Sequence, residues 1–259
     1  MTLLLAAGLL ALVPVLTACQ TGPATDTASG GCDVYQLDDG STSDTTYPLL
    51  LVLLDVNDNS AASAGQVAAA LRPYLDVAVR DGEYVRLVAS GGENSGLTYS
   101  PCFTGQNVFK VDRANKTRER KDRVHAGDAL ATQIEHTVQS VHVNPTGSVT
   151  DVLAGVDHEI EAVRTTPGLH LGRVTILVWS DLLGKTNGPD CLNVDGQQAS
   201  PALAEGLVRR CFATAQLSSL GSDTVRFLGV DATTGTRPQQ DMARYLEGEL
   251  CRRLSTDCV

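Results

Sequence analysis

Apolar and polar positions come in blocks along this chain, and the blocks have two characters. In YPLLLVLLD (47–55) the apolar run is unbroken from Pro48 to Leu54, and RVTILVWSD (173–181) carries a second run of the same kind. A strand with one wet face would alternate, so such runs predict strands covered on both faces. EYVRLVAS (83–90) and TVRFLGVD (224–231) predict two more strands, and QNVFKVD (106–112) an edge-like one. Helical stretches lie between them. The first covers 60–75, with Ala and Leu at helical spacing and Pro73 near its end. The longest covers 115–142, where Val124, Ala131, Ile134, Val138 and Val141 are spaced by three, four or seven, before NPTGS (144–148) breaks it. Further helices are predicted over 150–164, 201–219 and 239–254.

Strands taking turns with helices predict an α/β fold: three layers, a mostly parallel central sheet and helices on both faces. No internal repeat or second boundary is visible, so 32–259 is expected to be a single domain. In such sheets ligands gather beyond the carboxyl ends of the strands, where strand order reverses. Asp55 and Asp181 stand at the ends of the two buried runs.

Composition narrows the function classes. The chain has 259 residues and a net charge of −10, which argues against a nucleic-acid surface. Its one basic run, RANKTRERKDR (113–123), is interrupted by acids and reads as the solvated start of a helix. The apolar N-terminus has the length of a secretory signal and is shorter than a membrane span. It ends in Leu16-Thr17-Ala18-Cys19, which resembles a bacterial lipobox, although no Lys or Arg precedes the apolar run. The resemblance implies a lipoprotein signal peptide over 1–18 and a lipid on Cys19. The small polar stretch to Gly31 would be a flexible tether over 19–31. The protein is then expected on the outer face of the cytoplasmic membrane, anchored in the cell envelope.

Cysteine counting agrees with export. Seven cysteines less Cys19 leave Cys32, Cys102, Cys191, Cys211, Cys251 and Cys258, an even set that predicts disulfides rather than metal ligation. Many connectivities are open. Local closure favours Cys191–Cys211 and Cys251–Cys258, which leaves Cys32–Cys102.

Three loops share one chemistry. LLDVNDNSAAS brings Asp55, Asn57 and Asn59 at alternate positions, TGSVTDVLAGV brings Thr150 at a helix start, and TILVWSDLLG brings Asp181 after a strand. Together they resemble the von Willebrand factor A (vWA) domain and its metal-ion-dependent adhesion site. There an Asp-x-Ser-x-Ser motif, a threonine and a later aspartate hold a divalent cation. The order of elements is also similar, over 47–254. The resemblance implies a cation, Mg²⁺ or else Mn²⁺ or Ca²⁺, held by Asp55, Asn57, Asn59, Thr150 and Asp181. It also implies a protein partner that offers an acidic residue to the metal. Asn57 and Asn59 depart from the family's pattern, since they stand where it has serines. Mg²⁺ keeps several waters and needs only one or two carboxylates, so the ligand types suit it.

Two other readings stay open. A degenerate site would leave a metal-free structural subunit of an envelope complex. The aspartate after the first strand also resembles the haloacid dehalogenase nucleophile, but Asn57 occupies the place of that family's second acid. Each polar residue also has a plain local role, as an N-cap at Asn59, Ser60 or Thr150 and a polar turn at Asp181. The five histidines form no triad, and no Gly-x-Ser-x-Gly motif is present, so an enzyme is not expected.

Overall fold

The computed structural model describes residues 35–37, 46–55, 63–90, 97–99, 107–109, 114–140, 149–164, 171–183, 190–194, 196–232 and 235–259. In chain order the elements are β1 (Tyr35–Leu37), β2 (Tyr47–Asp55), α1 (Ala64–Asp81), β3 (Tyr84–Ser90), β4 (Leu97–Tyr99), β5 (Asn107–Phe109) and α2 (Lys116–Ser140). There follow α3 (Val149–Ala154), α4 (Val156–Arg164), β6 (Leu171–Trp179), α5 (Pro201–Ala213), β7 (Thr224–Leu228), a 3₁₀ turn at Val230–Ala232, α6 (Arg237–Leu254) and β8 (Asp257–Cys258). The main sheet runs β4-β3-β2-β6-β7-β8. Five of its strands are parallel, and β4 closes one edge antiparallel to β3.

The unbroken run in β2 is explained by two cores. Leu49, Leu51 and Leu53 point to one face, with Val152 and Val156 of α3 and α4, Leu207 of α5 and Leu246 of α6. Leu50, Val52 and Leu54 point to the other, with Leu71 and Leu75 of α1 and Leu130 and Ile134 of α2. Each of these six β2 residues is no more than 2% exposed. Burying a leucine is worth roughly 1.5–3 kcal/mol, so both faces contribute comparably and neither tolerates a polar position. The three-layer α/β expectation holds.

Several boundaries differ from the periodicity. The first helix starts at Ala64, behind a Ser63–Gln66 capping box, and continues past Pro73 to Asp81, where Gly82 (φ 72°) ends it. Pro73 is on the exposed side, so it removes one backbone bond, while Leu75, Ala78 and Val79 beyond it keep the helix docked. The stretch predicted over 150–164 is two helices, α3 and α4, on either side of Gly155. The segment 107–109 lies outside the main sheet and pairs antiparallel with β1. The true edge strand, Leu97–Tyr99, is too short to show a period, and the two-residue β8 likewise.

Two predicted disulfides are present, Cys191–Cys211 and Cys251–Cys258. Cys19, Cys32 and Cys102 lie outside the described residues. Among the described residues no helix is long and apolar enough to cross a membrane.

Candidate functional site

Chain connections leave β2 in one direction through α1 to β3, and β6 in the other through α5 to β7. Strand order therefore reverses between β2 and β6, and the crevice beyond their carboxyl ends is where an open α/β sheet places ligands. Register fills that crevice. Asp55 sits opposite Ser90 across β2–β3, and Leu54 sits opposite Trp179 across β2–β6, which brings the next residue, Ser180, beside Asp55. The carboxylate is gripped from both sides. Ser180 Oγ donates to Asp55 Oδ2 at 2.7 Å, and Ser90 Oγ donates to Asp55 Oδ1 at 3.3 Å.

Behind Ser180 the chain turns sharply. Ser180 N donates to Leu228 O at 2.9 Å, its Oγ accepts from Leu182 N at 2.8 Å, and Asp181 Oδ1 accepts from Leu183 N at 3.0 Å. Leu182 has φ 57°, a left-handed conformation that a bulky residue seldom adopts. Its side chain is fully buried, and that packing holds the backbone there. The turn keeps both Ser180 and Asp181 against the end of β2.

Asp55 is 1% exposed, and its pKa is pushed from 3.8 up to about 7. Burial is the main cause and the charge of Asp181 the next, while the two serine hydrogen bonds pull it down and Asp151 adds a small push upward. Asp181 and Asp151 are thus both within electrostatic reach of Asp55. Thr150, on the first turn of α3, donates from Oγ1 to Asp190 Oδ1 at 3.0 Å.

The structure therefore brings Asp55 and Asp181 together at one crevice, with Thr150 on the adjoining helix. Asn57 and Asn59 lie outside the described residues. Ser90, Ser180 and Asp190 were not legible as site residues. Ser180 directly precedes Asp181, and Asp190 directly precedes a cysteine, which were the available hints.

As a donor set, carboxylates and hydroxyls are hard oxygen ligands of the kind Mg²⁺, Mn²⁺ and Ca²⁺ take, and unlike the nitrogen and sulfur sets of zinc. Among the described residues no three His, Cys, Asp or Glu side chains are grouped to hold a metal. A site of two carboxylates completed by hydroxyls and water does not need such a trio. Concentrated negative charge fits a cation too, as does Asp190 Oδ2, which is buried without a hydrogen-bond partner among the described residues.

Gly229 supports the same turn from β7. It has φ 90°, and a Cβ there would lie 3.0 Å from Trp179 Cε2 and 3.3 Å from Ser180 O. Gly229→Ala is expected to cost about 1–3 kcal/mol through backbone strain and displacement of the Trp179–Ser180 segment. Thermal denaturation checks this, and an unchanged midpoint would remove Gly229 from the argument.

No family model matches the chain, and no curated protein matches it. Among solved structures the chain is similar to the TFIIH p34 N-terminal domain, at 12% identity and TM-score 0.33, covering 79% of this chain and 98% of that one. It is similar to the human COPII-coat protein Sec24c, at 10% identity and TM-score 0.34, covering 86% of this chain and 31% of that one. It is also similar to the manganese-loaded TRAP protein of Plasmodium vivax, at 11% identity and TM-score 0.30, covering 82% and 68%. At these values none of the three bears on function.

Proposed function

We propose that this chain is a lipid-anchored envelope protein whose vWA-like domain binds a protein partner through a divalent cation, Mg²⁺ first among the candidates. The observation that carries the reading is the convergence of Asp55, Ser90, Ser180 and Asp181 at the reversal of strand order, all buried. The cation would be held by Asp55, Thr150 and Asp181, with Asn57 and Asn59 supplying carbonyl oxygens. When bound, it would offer an open coordination position to an acidic side chain of the partner. The chain's own residues do the rest. Ser90 and Ser180 orient the Asp55 carboxylate, and the left-handed turn at Leu182 aims Asp181. Anchoring through Cys19 would set the domain at the outer face of the cytoplasmic membrane. We read the protein as non-catalytic, because both Asp55 oxygens are engaged by serines in a buried position that suits a fixed ligand better than a nucleophile.

One observation favours a second reading, a metal-free structural subunit. Asp55 is satisfied by two hydroxyls without any cation, and a pKa of about 7 lets it be neutral near neutrality.

Calorimetric and thermal-shift titration of the folded protein with Mg²⁺ and Mn²⁺ separates the two. Saturation at one hundred times Kd raises stability by about 2.7 kcal/mol. Asp181→Ala is expected to remove both heat and shift while the protein stays folded in EDTA. A flat titration of the wild type at millimolar cation sinks the cation reading and leaves the structural one.

A further inference from the structure

A hydroxyl can ligate a cation only with its lone pairs facing the ion, so its proton must be given to an acceptor on the far side. The hydroxyls of Ser90 and Ser180 give theirs to Asp55. Thr150 gives its proton elsewhere, to Asp190 Oδ1 at 3.0 Å. Asp190 is rigidly held: the same Oδ1 accepts from Leu192 N at 2.8 Å, and Asp190 O accepts from Asn193 N at 3.3 Å.

The neighbouring residue locks that loop onto α5. Cys191 is bonded to Cys211, its N–H donates to Gln216 Oε1 at 3.1 Å, and its carbonyl accepts from Arg210 at 2.9 Å. A covalent bridge and two hydrogen bonds thus fix a loop whose adjoining carboxylate reaches Thr150, 40 residues away in sequence. Packing alone does not require this. Cys191 and Cys211 are already buried in the apolar core, whereas Asp190 brings a carboxyl group, with its second oxygen buried, to the edge of it.

We infer that Asp190 is a positioning residue for Thr150, and that the Cys191–Cys211 bridge, by holding Asp190, sets the affinity of the site for its cation. The inference rests on the cation reading above. It predicts that reduction of one particular disulfide weakens cation binding, which gives the site a sensitivity to the redox state of its surroundings.

The test is Mn²⁺ binding to the oxidised protein, read from the resonance of free Mn²⁺, with melting in EDTA as the measure of fold. Asp190→Ala is expected to weaken binding about tenfold or more, the usual consequence of losing an outer-shell partner. Asp190→Asn keeps a carbonyl acceptor for the Thr150 hydroxyl and is expected to recover most of the affinity. Thr150→Val should match Asp190→Ala, and combining the two should add little, because both remove one oriented hydroxyl. The double variant Cys191→Ala/Cys211→Ala should weaken Mn²⁺ in the same way, whereas Cys251→Ala/Cys258→Ala should not. If Asp190→Ala does not fold, Asp190→Leu replaces it. Wild-type affinity in the Asp190 variant, additive losses with Thr150→Val, or equal loss in Asp190→Asn overturns the inference and leaves the cation reading intact. A wild type that binds neither Mn²⁺ nor Mg²⁺ overturns both.

Discussion

Asp55→Asn is expected to raise the melting temperature of the cation-free protein at pH 8 and to abolish its response to Mg²⁺. The stabilisation follows from linkage. Asp55 has an unfolded pKa near its ordinary 3.8 and a folded pKa of about 7, raised chiefly by burial and then by the charge of Asp181. Between those values the folded state binds more protons than the unfolded one, so this group's contribution to stability falls as pH rises from about 4 to about 7, then levels off. A difference of about three pKa values corresponds to about 4 kcal/mol. Asparagine is neutral throughout and avoids this cost, and because the value of about 7 already includes the hydrogen bonds from Ser90 and Ser180, a net gain of about 4 kcal/mol is expected above pH 7.

Subtracting the variant's stability profile from the wild type's isolates Asp55 together with its coupling to Asp181 and Asp151, because the other titrating groups are shared. The two curves should meet below about pH 4 and separate toward pH 7, as measured by urea unfolding in EDTA. Curves that stay parallel across that range would mean Asp55 is not held at high cost, and its place at a charged centre would fall. A gain in stability with a loss of cation response is the expected exchange at a site where like charges are gathered for a ligand.

The second large effect lies at Cys191–Cys211. The two cysteines are 20 residues apart, and closing a loop of that length constrains the unfolded chain by about 3 kcal/mol. Both are buried, at 3% and 0% exposure, so alanines there also lose packing in the core shared by α5 and α6. For a domain of this size each kcal/mol moves the midpoint by about 2–4 °C, so Cys191→Ala/Cys211→Ala should melt about 6–12 °C lower. The Cys251–Cys258 bridge spans 7 residues at the chain's end and is expected to contribute less, about 2 kcal/mol. Circular-dichroism melts of both double variants under non-reducing conditions give the comparison. A larger drop for the terminal bridge would contradict the loop-length argument.

How much of the site was legible depended on the range of the interaction. Asp55 was visible because a polar group at the end of an unbroken apolar run is a local pattern. Ser180 and Ser90 were not, because their hydrogen bonds to Asp55 span 125 and 35 residues and exist only through strand register. Asp190 was hidden for the same reason, although Cys191 beside it was read correctly as half of a disulfide.

By itself the sequence determined the α/β layering and the two central strands, and its local spacing favoured the two disulfides. Each of these rests on burial or loop closure that neighbours in the chain report: a short apolar run between turn signals reads as a strand covered twice, as β2 is. Tertiary structure alone decided which strand lies beside which, and so what surrounds Asp55. It placed Leu97–Tyr99 rather than 106–112 at the sheet edge, carried α1 through Pro73 to Asp81, and put β6 rather than β4 beside β2. Those outcomes depend on pairing and packing energies between distant segments. Periodicity records only whether a residue is buried, not what it is buried against.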